Sequence, residues 1–292
     1  MKIVQHSKGI LIIIFILLFT SISISKSKSN DNQSAIKACR EAFPEVALNP
    51  AAPGGWRLFE MMDHDVLCIY GEQPVTARYW AALGEMELKS SLIVVARSQG
   101  GPVGPWLEVA ERLSRRNITL VVDEACFSSC AIYLPIISRR IHVGENSLLI
   151  WHGGPTTNVS NLHHFGVQSI TIDTILYYLN IGQRTELLYE NSGISVDILT
   201  DSMRPTDRSH LNTTLQVAGI PEEQPSIIAG YAYNPQTLES CFGFNNLTDY
   251  WHPGDDSEVL AFGQRRSKVL LVLESPKDSE GVPLCSSPSD DD

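Results

Sequence analysis

Three stretches of this chain carry side chains suited to acyl-transfer chemistry, and they recur at regular intervals. Ser98-Gln99-Gly100-Gly101 supplies a glycine turn, Cys126-Phe127-Ser128-Ser129-Cys130 supplies two adjacent hydroxyls, and Trp151-His152-Gly153-Gly154 supplies an imidazole. Ser98 precedes Ser128 by 30 residues, and His152 follows Ser128 by 24. A serine hydroxyl is a weak nucleophile until a neighbouring base removes its proton. Histidine is the side chain whose ordinary pKa suits that task near neutrality. A glycine turn can present backbone N–H groups to the oxyanion that such an attack creates. Plainer roles exist for each residue: serine commonly caps a helix, and a histidine at a strand end is often only a hydrogen-bonded surface group.

The elements that must position these residues can be read from hydrophobic runs. Each stretch follows one: Leu92 to Ala96, Ile118 to Val122, and Ser147 to Trp151. Short apolar runs bounded by glycine or polar residues read as buried strands. Between the first two, Pro105 to Leu113 is apolar at 106, 109, 110 and 113, the pattern of an amphipathic helix. The result is a β-α-β unit and an α/β fold, in which ligands sit at the carboxyl ends of the strands. Ser128 falls where the second strand gives way to a helix beginning near Ala131, so free N–H groups and the positive helix end face that position.

Elsewhere a strand is expected over 66–70, a helix over 76–83 and one long helix or two over 169–190, broken by Gly193. A helical turn begins at Val196, and residues 204–225 read as an irregular insertion. Tyr233 to Glu239 reads as a strand followed by a capped helix, and 269–273 as a last strand. The domain reading is a signal peptide or membrane anchor over 1–25 and a polar, Pro/Gly-rich arm over 26–61. The α/β domain then spans 62–250, and a C-terminal extension with an acidic tail spans 251–292.

Net charge is −11 with no basic cluster beyond the amino terminus, which argues against a nucleic-acid partner. Lys2 and Lys8 precede an apolar run from Ile10 to Phe19, then small residues, the make-up of a secretory signal. A membrane span needs roughly 20 apolar residues, which this run reaches only if the Ser/Ile alternation after Phe19 counts. The expected location is therefore periplasmic or secreted, with or without N-terminal membrane association. The six cysteines, Cys39, Cys68, Cys126, Cys130, Cys241 and Cys285, suit disulfides in an exported chain. Cys126 and Cys130 are close enough in sequence to bridge across a strand-to-helix turn; the remaining connectivity is not readable. No second closely spaced Cys or His pair accompanies them, so no metal is expected, and no cofactor. Five Asn-x-Ser/Thr sequons, at Asn32, Asn117, Asn158, Asn212 and Asn246, matter only in a host that glycosylates its exports.

Ser98-x-Gly-Gly, the Cys126 to Cys130 box and His152, in that order and spacing, resemble the Clp-type serine proteases of the Clp/crotonase superfamily, and more closely their exported relatives. Arg139-Arg140 is similar to the family's basic pair ahead of the histidine strand, and Tyr233-Asn234-Pro235 through Gly243 to its closing segment. The resemblance covers residues 62 to 250 and implies a spiral of β-β-α units with a mostly parallel sheet. It implies Ser128 as nucleophile in preference to Ser129, His152 as base, and an oxyanion hole made by the N–H groups of Gly101 and Ser129. Pro102 has no N–H and cannot substitute for Gly101. The family's acid lies about 50 residues after its histidine, which leaves Asp201 and Asp207 as alternatives, neither in a clear motif. His163 and His164 are rivals to His152 with poorer spacing.

The implied activity is peptide hydrolysis with a polypeptide substrate. The alternative is an inactive binding module that keeps the cleft for a peptide ligand. A crotonase-type acyl-thioester enzyme would share the oxyanion hole, but its substrates are cytoplasmic. A Ser-Lys dyad lacks its lysine, because none occurs between Lys89 and Lys268. Clp-type proteases assemble into rings; whether this chain forms a homo-oligomer is not readable from it.

Overall fold

Strand β4 (Asn117–Phe127) is the axis of the molecule, because two different strands pair with its two halves. The computed structural model describes residues 31–48, 54–71, 87–158, 171–203, 227–253, 258–262, 270–274 and 285. Its main sheet has seven strands. β1 (Gly55–Glu60), β2 (Asp65–Tyr70), β3 (Ser91–Ser98), β4, β5 (Arg140–Val143) and β8 (Leu247–Tyr250) lie side by side in that order, and β6 (Leu148–Ile150) pairs with β4. The β1–β2 pairing is antiparallel and every other pairing in this sheet is parallel. A second, two-stranded parallel sheet joins β7 (Ile227–Ala232) and β9 (Leu270–Glu274). The fold is therefore α/β with a mixed, mostly parallel sheet.

Helical segments cover both faces of the sheet. Residues 31–42 form α1; α2 is Pro44–Leu48, α3 is Val103–Leu113, α4 is Ser129–Tyr133, α5 is Ile172–Ser192, α6 is Asp197–Asp201 and α7 is Pro235–Phe242. Every residue of β2 is buried, as a parallel strand covered on both faces requires. Alternation sorts its side chains: Leu67 and Ile69 face the core that holds Trp106, Leu107 and Ala110 of α3. Val66, Cys68 and Tyr70 face the opposite layer with Ala35 and Cys39 of α1.

The bend in β4 decides where the third strand goes. Thr119 to Val122 pair with Arg140 to Val143, whereas Ala125 to Phe127 pair with Leu148 to Ile150. Between these halves Glu124 has φ +74°, and the β3–β4 register shifts between Ala96 and Ser98. The bend is pinned by polar groups. Asp123, 3% exposed, accepts from Tyr70 Oη at 2.6 Å and Arg40 Nε at 3.0 Å. Arg97 pairs with Glu124 at 2.6 Å, and Glu124 N–H donates to Ser147 Oγ at 2.9 Å. Buried charge is tolerated only when paired in this way.

Within the polar, Pro/Gly-rich arm expected over 26–61, residues 31–48 form α1 and α2, and residues 55–60 form the edge strand β1. Ala35, Cys39 and Val46 are buried there, and a Cys39–Cys68 disulfide joins α1 to β2. The expected boundary at 62 thus falls within the β1–β2 connection, since β1 ends at Glu60 and β2 starts at Asp65. The apolar positions of this region are interleaved with polar residues and Pro/Ala/Gly, which hid both the helix and the strand. The long helix forms as one element, α5, and Gly193 at φ +71° ends it. Asn234 caps α7 by accepting from Thr237 N–H at 2.8 Å. The expected segments 1–25, 76–83 and 204–225 lie outside the described residues, as do Asp207, His163 and His164. No helix among the described residues is long and apolar enough to cross a membrane.

Candidate active site

Ser128 occupies the turn between β4 and α4 with φ +58° and ψ −129°. That region is sparsely populated for a residue with a side chain; holding it costs on the order of 1–3 kcal/mol, and it persists only where the surroundings enforce it. Here they do. The Ser128 N–H donates to Ile150 O at 3.1 Å, its carbonyl accepts from Ile132 N–H at 2.9 Å, and a disulfide joins Cys126 to Cys130. The sharp turn lifts the hydroxyl off the end of the strand, the same device that exposes a nucleophile at a strand-to-helix elbow.

The glycine turn packs directly on this elbow. Gly100 has φ +90°, and a Cβ there would lie 2.7 Å from Ser128 Cβ and 2.7 Å from Phe127 O, so the position excludes any side chain. Ser98 Oγ donates to Gly71 O at 2.9 Å and accepts from Gly100 N–H at 3.1 Å, fixing the start of the turn. Ser129 is fully buried, and its hydroxyl donates to Gly101 O at 2.7 Å. As the first residue of α4, Ser129 has an N–H with no acceptor in the preceding turn of its own helix. The two adjacent serines therefore divide their work: one braces the glycine turn, the other faces the imidazole.

His152 Nε2 lies 2.6 Å from Ser128 Oγ. The ring is brought there by β6, whose continuation at Trp151 bridges to Tyr231 through bonds of 2.9 and 2.6 Å. On the other side, Gly153 N–H donates to Ser202 Oγ at 2.8 Å. Gly153 has φ +98°, and a Cβ would meet Met203 Cγ at 2.3 Å, so only glycine lets the chain turn past α6. Phe127 packs against the imidazole with ring centroids 5.0 Å apart. Burial lowers the His152 pKa from its usual 6.5, partly offset by a bond of the ring to its own backbone. The ring is thus neutral at pH 7 and free to accept a proton.

Ser128 and His152 are brought together, and Gly101 and Ser129 are brought to the same turn. Asp201 is not bonded to the imidazole. Its carboxylate, 5% exposed, accepts from Tyr233 Oη at 2.7 Å, while its neighbour Ser202 takes the bond from Gly153. Tyr233 in turn packs edge-on to Trp151, with centroids 5.6 Å apart. Among the described residues, the hydrogen-bond partner of the His152 ring other than its own backbone is Ser128. Ser202 and Tyr233 are not legible as site residues in the sequence: Ser202 sits in no motif, and Tyr233 reads as part of a strand ahead of a helix cap and of the closing segment, with no site role attached. All six cysteines are bridged, the third pair being Cys241–Cys285. Three disulfides fit an oxidising compartment. Among the described residues no group of three or more His, Cys, Asp or Glu side chains is placed to hold a metal. No family model and no curated protein sequence matches this chain.

Proposed function

We propose that the chain is an exported serine hydrolase, most specifically a peptidase of the Clp/crotonase-like type. Ser128 is the nucleophile, His152 the general base, and the N–H groups of Gly101 and Ser129 the oxyanion donors. The observation that carries the reading is the 2.6 Å approach of His152 Nε2 to Ser128 Oγ at a strained elbow. His152 removes the hydroxyl proton as Oγ attacks the scissile carbonyl. The developing oxyanion would be met by these two amides, each worth about 10²–10³ in rate. The same imidazole then protonates the leaving amine, and a water molecule resolves the acyl-enzyme by the reverse sequence. The mostly parallel sheet, with β6 stepping off β4 at its bend, supports a spiral of β-β-α units. The three disulfides and the apolar segment from Ile10 to Phe19 support export to a periplasmic or extracellular space.

A second reading, a binding module holding a peptide ligand in the same cleft, is favoured by one feature: the Asp201 carboxylate serves Tyr233 and not the imidazole. Incubation of the full chain with an unbiased peptide library separates the two. Cleavage products that disappear in Ser128→Ala support the hydrolase; peptide retention without cleavage supports the binding module.

A further inference from the structure

The Cys126–Cys130 disulfide encloses Ser128 in a loop separated by four positions, and both half-cystines are fully buried in the main apolar cluster. α4 has five residues, too few for its own hydrogen bonds to enforce the conformation of its cap. Ser128 carries positive φ without being glycine, and such a conformation persists only when the surroundings over-determine it. The disulfide is the covalent tie that spans the elbow, from the end of β4 to the second residue of α4.

We infer that Ser128 is presented to His152 only when the Cys126–Cys130 disulfide is closed, so that activity is switched on by oxidation after export. This rests on the hydrolase reading above and adds its regulation. Closure removes two protons and two electrons from the Cys126 and Cys130 thiols. They pass by thiol–disulfide exchange to a disulfide-bearing oxidant, which leaves as a dithiol. With both thiols reduced, the chain would fold around the same sheet while the turn relaxes from its strained conformation, carrying the hydroxyl away from the base. Cys126 and Cys130 are positioning residues that do not touch substrate.

The test compares the wild-type full chain with Cys126→Ala/Cys130→Ala, each treated with a fluorophosphonate over a range of pH. The tryptic peptide following Arg116 and ending at Arg139 contains Cys126, Ser128 and Cys130 together, so one peptide mass reports the label and the state of the bridge. Labelling of Ser128 is expected to be at least about tenfold slower in the variant, equivalent to roughly 1.4 kcal/mol. The unfolding transition should stay cooperative and the acid midpoint of labelling unchanged, because His152 remains buried. Labelling at the wild-type rate overturns the inference. So does a midpoint that climbs to the ordinary histidine value, which reports general loosening around His152 instead of displacement of Ser128. Should the variant not fold, the wild-type chain is partly reduced and alkylated before labelling. Label confined to bridged peptides supports the inference, and label equally present on peptides alkylated at both cysteines overturns it. An unlabelled wild-type chain removes the hydrolase reading and this inference together, whereas equal labelling removes the inference alone.

Discussion

Ser129 Oγ donates to Gly101 O at 2.7 Å, so the serine beside the elbow is committed to holding the glycine turn in register with α4. Helix position alone does not separate the two serines, and this bond does. Ser128→Ala should abolish fluorophosphonate labelling. Ser129→Ala should leave labelling detectable but several-fold slower, and should lower stability by about 0.5–1.5 kcal/mol, the worth of one neutral hydrogen bond. Labelling rates and chemical denaturation of the two variants check this; a Ser129→Ala variant that loses all labelling would reverse the assignment.

Gly100 admits no side chain. A Cβ there would lie 2.7 Å from Ser128 Cβ, and the residue stands at φ +90°. Gly100→Ala is expected to displace the elbow and lower the labelling rate by more than about tenfold, with a stability loss of about 1–3 kcal/mol. Gly193 provides the contrast, since it also has positive φ but a Cβ added there would meet nothing within 4 Å. Gly193→Ala should cost stability alone and leave labelling at the wild-type rate.

The pH dependence follows from the burial of His152, which lowers its pKa from 6.5. The acid limb of the activity profile should therefore have its midpoint below 6.5. The unfolded chain binds a proton at this site more readily than the folded chain does. Stability from this group is thus fully present above the unfolded value and falls as pH drops from about 6.5 through the lower folded pKa. His152→Gln should flatten that part of the stability curve. Urea titrations from about a unit above to about a unit and a half below the ordinary histidine value read the slope directly.

Asp201 and Tyr233 give the sharpest test of whether an acid completes the site. Tyr233→Phe removes the hydroxyl that bonds the buried carboxylate at 2.7 Å and should cost about 1.5–3 kcal/mol of stability. If the arrangement in the structure is the working one, Asp201→Asn should slow labelling less than about tenfold, against the roughly 10⁴ expected when an orienting aspartate is lost from a triad. A loss near the larger figure would mean that Asp201 moves onto the imidazole when the probe reacts.

The parts of the fold that are legible in the sequence are those in which one short pattern decides the outcome. The apolar runs leading to Ser98, Ser128 and His152 form β3, β4 and β6, and the spacing over 106, 109, 110 and 113 forms the buried face of α3. Pairing Cys126 with Cys130 needs only their separation. What escapes depends on contacts distant in sequence. α1 is fixed by Arg40 reaching Asp123, 83 residues away, and by the bridge from Cys39 to Cys68. Ser202 meets Gly153 across 49 residues, and Tyr233 meets Asp201 across 32, and no local pattern announces either pair. The bend at Glu124, which lets β6 replace β5 along β4, is likewise set by buried charges that gather only once the chain has folded.

The proposed activation of Ser128 by His152 is tested most directly by the rate at which a fluorophosphonate modifies Ser128 in the wild-type chain and in His152→Gln, mapped by peptide mass. The predicted result is a single adduct on Ser128 in the wild type and its loss in His152→Gln with the fold retained. Modification at equal rates in both chains, or none on Ser128 in the folded wild type, would contradict it.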